Sequence, residues 1–328
     1  MIIQKNDDIT LEWLSTVLGH SVTAFDDEVS TPFMSEVHQL TLTYAPNASH
    51  GLPQKLFLKV GTGNHGSAEV DFYTDPASQG LPIPQCYDAQ YDPKVGYHIL
   101  LTDLTLTHDI APIGFPPSYA RHQLAVKSLA QIHARWWGKR TVTPEQVNQF
   151  VFAGITAEDL SDFQSFMGDW LPPDRVAVFQ NVFAAHDQIT AHLLNRPLTL
   201  IHSDTHPWNF LYPKADHGQA ILVDWESYGT DLGIYDLAYM IGLWWFQSQR
   251  DRFEVELVKI YHQTLIEHGV TGYSWEHCWD DYRWCVLRCL IMPIFWWQRG
   301  GLPPELWWTR LEKIYLTIHD LDCLALIE

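Results

Sequence analysis

The sequence predicts an α+β protein of two lobes, a small strand-bearing one followed by a larger, mostly helical one. Length is the first reason. At 328 residues the chain exceeds the roughly 250–300 residues at which a single hydrophobic core stops growing. The second is that segments 22–29, 37–44 and 56–60 read as short strands early in the chain. The third is the stretch 119–137, whose apolar residues recur at i, i+3 and i+4 as on one face of a helix.

The elements follow in order. Residues 9–18 have helical spacing, with Thr10 placed to cap the first turn. Two strands follow, joined by 30–36, a loop that contains no glycine. Side chains there limit how closely a backbone can approach a phosphate, so an ordinary hairpin turn is the competing reading. Lys59 interrupts the apolar strand 56–60. A lysine in such a strand is costly unless it is paired or used. It either grips nucleotide phosphates or snorkels from an edge strand. A helix must begin soon after Gly66 and carries two candidate partners for Lys59, Glu69 and Asp71. In the helix 119–137, His133 reads as a buried packing residue.

Composition narrows the function. The net charge of −19, from 20 basic against 39 acidic residues, makes nucleic acid and anionic membrane surfaces poor partners. The five cysteines, Cys86, Cys278, Cys285, Cys289 and Cys323, lack paired C-x-x-C spacing. Reduced thiols in a cytoplasmic protein are expected. The N-terminus lacks the apolar core of a signal peptide. The longest apolar runs fall short of the ~20 residues that span a bilayer. Nine of the fifteen tryptophans lie after residue 240. Most read as helix packing; 275–281 and 296–301 are where aromatic contacts to an acceptor would be sought.

The most informative stretch is His202-Ser203-Asp204-Thr205-His206-Pro207-Trp208-Asn209, followed by Ile221-Leu222-Val223-Asp224-Trp225. Residues 198–201 read as a buried strand leading into a tight loop that bears Asp204. Pro207 delays helix formation, since it lacks the N–H a helix interior needs. Residues 210–212 and 221–223 form a hairpin that returns Asp224 beside Asn209. Phosphoryl transfer needs these parts: one carboxylate to take the proton of an attacking hydroxyl, and an amide oxygen and a second carboxylate to hold Mg²⁺. Two hard oxygen ligands suit Mg²⁺, which keeps several waters. Two other readings compete. His202, Asp204 and His206 form H-x-D-x-H, which suits a metallohydrolase, or the chain is a catalytically inactive nucleotide-binding module.

The run resembles the aminoglycoside phosphotransferase and choline kinase-like family of small-molecule kinases, whose motif is H-G-D-x-x-x-x-N followed by a strand ending D-[FW]. Ser203 replaces the glycine. Asp236, in Tyr-Asp-Leu-Ala, resembles the family's D-L-A and is expected to cap its helix. The helix ending in His133-Ala-Arg-Trp-Trp and the segment Leu100-Leu-Thr-Asp-Leu104, similar to the family's inter-lobe hinge, extend the likeness over most of the chain.

The resemblance implies a bilobal protein-kinase-like fold, with a small antiparallel-sheet nucleotide-binding lobe (1–103) and a larger, mostly helical lobe for catalysis and acceptor binding (104–328). It implies ATP as donor, with GTP the alternative, and Mg²⁺. Asp204 would be the catalytic base, and Asn209 and Asp224 the metal ligands. Lys59 would hold the phosphates, braced by Glu69. Ser35 would lie in the phosphate loop, and Thr102, Asp103 and Leu104 would meet adenine through their backbone. The partner would be a small-molecule hydroxyl, aminoglycoside-, choline- or sugar-like, cationic or touching aromatic side chains. The protein would be a monomer or homodimer.

Overall fold

The computed structural model describes residues 2–30, 36–46, 48, 51–63, 66–112, 116–215, 217–300 and 303–328, with every side chain among them except that of 148. These form two compact units, Met1–Ala111 with Trp208–Tyr228, and Pro112–Pro207 with Gly229–Glu328. The first unit therefore runs past residue 103 and takes in a later segment. Strand pairing explains the second point, as described below.

The first unit opens with α1 (Leu11–Leu18). The Thr10 hydroxyl accepts from the Trp13 N–H, as the sequence leads one to expect, and Gly19 ends the helix in the left-handed conformation at φ 67°. Five strands follow: β1 (Val22–Ser30), β2 (Glu36–Tyr44), β3 (Lys55–Gly61), β4 (Cys86–Asp92) and β5 (Gly96–Thr102). They make one antiparallel sheet in the order β1-β2-β3-β5-β4. Side chains alternate between faces along a strand. On β3 this buries Leu56, Leu58 and Val60 in a core with Ile3, Leu14, Leu40 and Leu100. The same alternation puts Lys59 on the other face. Helix α2 (Ser67–Thr74) starts directly after Gly66 and buries Glu69, Val70, Phe72 and Tyr73. Strand β6 (His108–Ile110) then leaves the sheet.

The second unit contributes β7 (Thr199–Ile201), after which β8 (Phe210–Pro213) and β9 (Ile221–Leu222) form the expected hairpin. β8 pairs with β6, and the Leu222 N–H donates to the Pro82 carbonyl at 2.9 Å. These bonds draw the hairpin into the first unit. The rest of the second unit is helical, apart from β10 (Gly229–Asp231), which pairs antiparallel with β7. Its helices are α3 (Tyr119–Trp136), α4 (Pro144–Phe150), α5 (Ala157–Met167), α6 (Pro173–Ala184), α7 (His186–Leu194), α8 (Ile234–Ala238), α9 (Gln247–Glu267), α10 (Trp275–Cys289), α11 (Met292–Arg299) and α12 (Pro304–Asp320). α3 lies along α9. Phe163, Phe179, Tyr261 and Tyr282 are fully buried. All five cysteines are unbridged, and Cys285 and Cys289 sit in the helical core. Among the described residues no helix is long and apolar enough to cross a membrane.

Several buried charges in this unit are paired. Arg288 on α10 grips Asp231 through both terminal nitrogens at 2.7 and 2.5 Å, pinning β10 to α10. Glu254 accepts from the Tyr282 hydroxyl at 2.6 Å. His122 on α3 is different. Its Nε2 accepts from Trp245 Nε1 at 2.9 Å, and its Nδ1 donates to the Ser118 carbonyl at 3.1 Å. A ring bonded this way is neutral, and burial pulls its pKa down to about 4. The unfolded chain binds the proton first, near pH ~6.5, so stability due to neutral His122 is complete above that pH and is lost as pH falls toward 4. Urea unfolding should show a loss of about 2 kcal/mol from this group between pH 7 and pH 5, the integrated linkage of such a shift. His122→Gln should flatten that segment of the profile. An unchanged profile would show that His122 is not the acid-sensitive group.

Candidate active site

In the first unit the Lys59 ammonium lies 2.8 Å from Glu69 Oε2, 3.2 Å from Asp224 Oδ1 and 3.9 Å from Glu226 Oε2. The strand supplies the lysine, α2 the glutamate, and the turn after β9 the remaining two. Glu69 is buried, and its Oε1 accepts from the Trp225 N–H at 3.4 Å. The Trp225 ring stacks on Phe72 with centroids 3.8 Å apart, so α2 and the Asp224 turn are held together by packing as well as charge. Asp71 is exposed, and Glu69 is the partner, as the sequence suggests. Burial by itself would lower the Lys59 pKa; Glu69 and Asp224 outweigh it and push it up. Burial raises Glu69 more than Lys59 lowers it, with Asp224 adding to the rise. Both partners shift upward, Glu69 chiefly by burial and Lys59 by the two carboxylates that face it.

Asp224 itself has left-handed backbone angles, φ 69° and ψ 64°, at the start of a short 3₁₀ turn. Its side chain is 42% exposed, leaving its carboxylate open to further ligands. Asn209 is buried, and its carbonyl accepts from the Val223 N–H at 3.0 Å, tying it to the residue before Asp224. Thr102 and Asp103 close β5: the Thr102 N–H donates to Gln85 and the Asp103 N–H to Lys55. Asp103 Oδ1 accepts from the Thr105 N–H at 2.7 Å, and the Leu104 carbonyl accepts from the N–H groups of Thr107 and His108. Ser35 lies outside the described residues.

In the second unit, the loop after β7 is organised by Asp236. Its carboxylate accepts from the His202 N–H at 2.7 Å and the Ser203 N–H at 2.9 Å, and pairs with His133 Nε2 at 3.1 Å. This corrects the expected helix cap. Asp236 is the third residue of α8, after Gly233 at the cap position, and its carboxylate serves the loop instead of its own helix. Ser203 sits at φ 71°. That conformation explains the glycine of the resembled motif, since a side chain there costs roughly 1–2 kcal/mol. His133 is fully buried, with Nδ1 2.8 Å from the Tyr261 hydroxyl. Gly233 runs beneath this pair: a Cβ on it would come within 2.5 Å of the Tyr261 oxygen.

Asp204 projects from this loop. The Tyr239 hydroxyl donates to its Oδ1 at 2.6 Å, and His206 Nε2 lies 3.6 Å from its Oδ2. Burial, then the charge of Asp204, hold the Tyr239 phenol well above its usual pKa, so it stays a donor. His202 is buried, with Nδ1 accepting from the Asp204 N–H at 3.3 Å. Among the described residues no group of three or more His, Cys, Asp or Glu side chains is arranged to hold a metal ion. The H-x-D-x-H reading therefore lacks its geometry.

Comparison with known proteins decides the family. The family model described as "Phosphotransferase enzyme family" (APH) matches residues 55–273. The chain belongs to this family. It is thus an ATP-dependent phosphotransferase acting on small molecules. No curated protein matches it. Among solved structures it is similar to a protein of Ralstonia eutropha JMP134 assigned provisionally to the aminoglycoside phosphotransferases. That match has TM-score 0.57 and 11% identity, covering 96% of each chain. It is also similar to the choline kinase of Cryptosporidium parvum Iowa II, with TM-score 0.55 and 12% identity over 92% of this chain and 91% of that one. The macrolide 2′-phosphotransferase of Brachybacterium faecium matches with TM-score 0.53 and 13% identity over 93% and 94%. The α+β fold, with its five-stranded antiparallel sheet and mostly helical remainder, is the kinase-like fold of this phosphotransferase family.

Sequence reasoning missed Glu226 and Tyr239. Glu226 stands two residues after Asp224 in Asp-Trp-Glu, and Tyr239 lies one turn after Asp236. Neither residue type departs from ordinary packing, so nothing in the sequence marked them. Tyr239 begins a π-helical turn, Tyr239–Leu243, a widening often found at functional sites. Of the stretches searched for acceptor contacts, 275–281 is occupied with packing. Trp275 stacks on Trp279, and buried Asp281 takes hydrogen bonds from Arg196 and Tyr273. Trp296 meets Tyr239 edge-on at 6.1 Å.

Removing the Asp236 carboxylate strands two N–H groups and a histidine in a dry site. Asp236→Ala should therefore lose about 3 kcal/mol or more of stability in urea titrations. A loss below about 0.5 kcal/mol, the range of neutral surface changes, would show that the loop does not depend on it.

Proposed function

We propose that the protein transfers the γ-phosphoryl group of ATP to a hydroxyl of a small molecule, with Asp204 as base. The observation that carries this reading is the Lys59 cluster, one ammonium held by Glu69 and Asp224 from three distant segments. A structural ion pair needs one carboxylate. This group keeps a surplus of negative charge with Asp224 open to solvent, which suits a cation and the phosphates that accompany it.

In this reading the acceptor oxygen attacks the γ-phosphorus. The bond from that phosphorus to the β–γ bridging oxygen breaks, and ADP leaves with the electron pair. The hydroxyl proton passes to the Asp204 carboxylate. Tyr239 donates to Oδ1, which orients the carboxylate that takes the proton. Lys59 steadies the α- and β-phosphates, and Glu69 fixes the lysine. Thr102, Asp103 and Leu104, at the end of β5, lie along the adenine. Asn209 and Asp224 fit Mg²⁺, offering an amide oxygen and a half-exposed carboxylate beside the anionic cluster. When bound, the ion would offset charge on the phosphates.

The two aspartates should separate on substitution. Asp204→Asn should abolish transfer and leave MgATP affinity within about threefold, because its role is toward the acceptor. Asp224→Asn should weaken the Mg²⁺-dependent part of nucleotide binding by several kcal/mol, roughly what a charged ligand to a metal–phosphate assembly supplies. Calorimetric titration with a non-hydrolysable MgATP analogue and single-turnover assays read the two effects. Full transfer by Asp204→Asn, or equal loss of nucleotide binding in both variants, would reverse the assignment.

A further inference from the structure

Two cations on α12, Arg310 and Lys313, carry a feature that the phosphoryl-transfer parts do not use. Arg310, on α12, is 7% exposed, and its guanidinium lies 3.9 Å from the centre of the Trp244 ring. The Trp244 ring meets His206 edge-on at 5.6 Å, and His206 is the residue 3.6 Å from Asp204. Arg310 is therefore joined to the Asp204 carboxylate through two aromatic neighbours, all within the second unit.

Arg310 donates to the Leu306 carbonyl at 2.7 Å and the Thr309 hydroxyl at 2.8 Å, both on its own helix. Among the described residues no carboxylate comes within 4.0 Å of it, and its buried Nε has no partner. Lys313, one turn further, repeats the pattern. Its ammonium donates to the Trp244 carbonyl at 2.9 Å and sits 3.9 Å over the Phe246 ring, again with no carboxylate in ion-pair range among the described residues. Lys313 lines a cavity of about 680 Å³; Glu312, on the same wall, is engaged with Arg175. The other buried arginines of this unit differ. Arg250 has Glu254 and Asp320, and Arg288 has Asp231.

Two neighbouring cations without counter-ions are unexpected in a chain of net charge −19. Desolvating a charge is costly unless it is paired, and like charges at short range add to the cost. Burial pulls Arg310 down to about 10, and burial with Arg310 nearby pulls Lys313 down to about 8. A bound oxyanion relieves both costs, whereas a cationic acceptor would meet repulsion.

We propose that the acceptor carries an oxyanion group, a carboxylate, phosphate or sulfate, that Arg310 binds with support from Lys313 while the acceptor hydroxyl faces Asp204. The substrate class is then hydroxy acids or phosphorylated or sulfated alcohols, and amino alcohols are disfavoured. This rests on Asp204 as the base of the proposed transfer and narrows its acceptor.

Inorganic sulfate, titrated into the full-length protein saturated with MgADP, is the first probe, read by tryptophan fluorescence because Trp244 is stacked on the guanidinium. Wild type should show a saturable change that Arg310→Gln loses and Arg310→Lys partly keeps. No saturable change, or the same curve in Arg310→Gln, overturns the proposal. The second probe is ATP consumption with 4-hydroxybutyrate, 4-hydroxybutyramide and 4-aminobutanol, and with wider panels of hydroxy acids and amino alcohols. Hydroxy acids should be preferred, and Arg310→Gln should raise their KM about tenfold or more while kcat changes little, as expected for a lost charge-assisted contact to the ground state. A merely structural Arg310 would instead affect all acceptors alike, which overturns the proposal. Preference for amino alcohols also overturns it, yet leaves the kinase reading standing. Failure of MgATP binding itself counts against that kinase reading and not against the sulfate result.

Discussion

Everything in the first unit that bears on chemistry depends on one ammonium. Lys59 can stay charged on a mostly buried strand face only because carboxylates come to it, and they come from α2 and from a turn more than a hundred residues later. The sheet supplies the position by alternation: Leu56, Leu58 and Val60 fill the core, which obliges residue 59 to point the other way. The Trp225–Phe72 stack then holds the two acidic segments together at the lysine. Packing and charge reinforce each other, and the surplus of carboxylate over ammonium remains as the feature that needs a ligand.

The second unit solves a similar problem with the opposite sign. Asp236 is a buried carboxylate, and its compensation comes from main-chain N–H groups of His202 and Ser203 and from His133. These bonds are strong because the acceptor is ionised. They hold Ser203 in a conformation that side chains rarely adopt. Asp224 has the same left-handed backbone. Strain at these two positions is tolerated because the surrounding bonds over-determine the loops.

Charge is distributed unevenly on a smaller scale than the net value suggests. The chain is strongly acidic, and most buried arginines are matched to acids. Arg310 is the exception among the described residues; it and half-buried Lys313 both contact Trp244, whose ring meets His206. An overall charge of −19 says that nucleic acid is a poor partner; it says nothing about the field at one pocket, which a few side chains set at short range.

Much of this was legible in the sequence. Strands 22–29, 37–44 and 56–60, the helix capped by Thr10, the start of α2 after Gly66 and the hairpin after Asn209 all follow from local patterns, because alternation, helical period and caps act over a few residues. The family followed from spacing in the 202–224 run; the expense of a lysine in an apolar strand called for a partner, and the family resemblance pointed to Glu69. What local pattern did not decide was where distant groups would meet. Asp236 reads as the cap of its own helix, yet serves a loop more than thirty residues earlier. Glu226, Tyr239 and Arg310 have ordinary residue types and gained significance only from neighbours in space. The sequence by itself determined the α+β class and the family. Tertiary structure decided which carboxylates share a proton donor or an ammonium, and which cations were left without one, because a charge is compensated by whatever packing brings within a few ångströms, regardless of its distance along the chain.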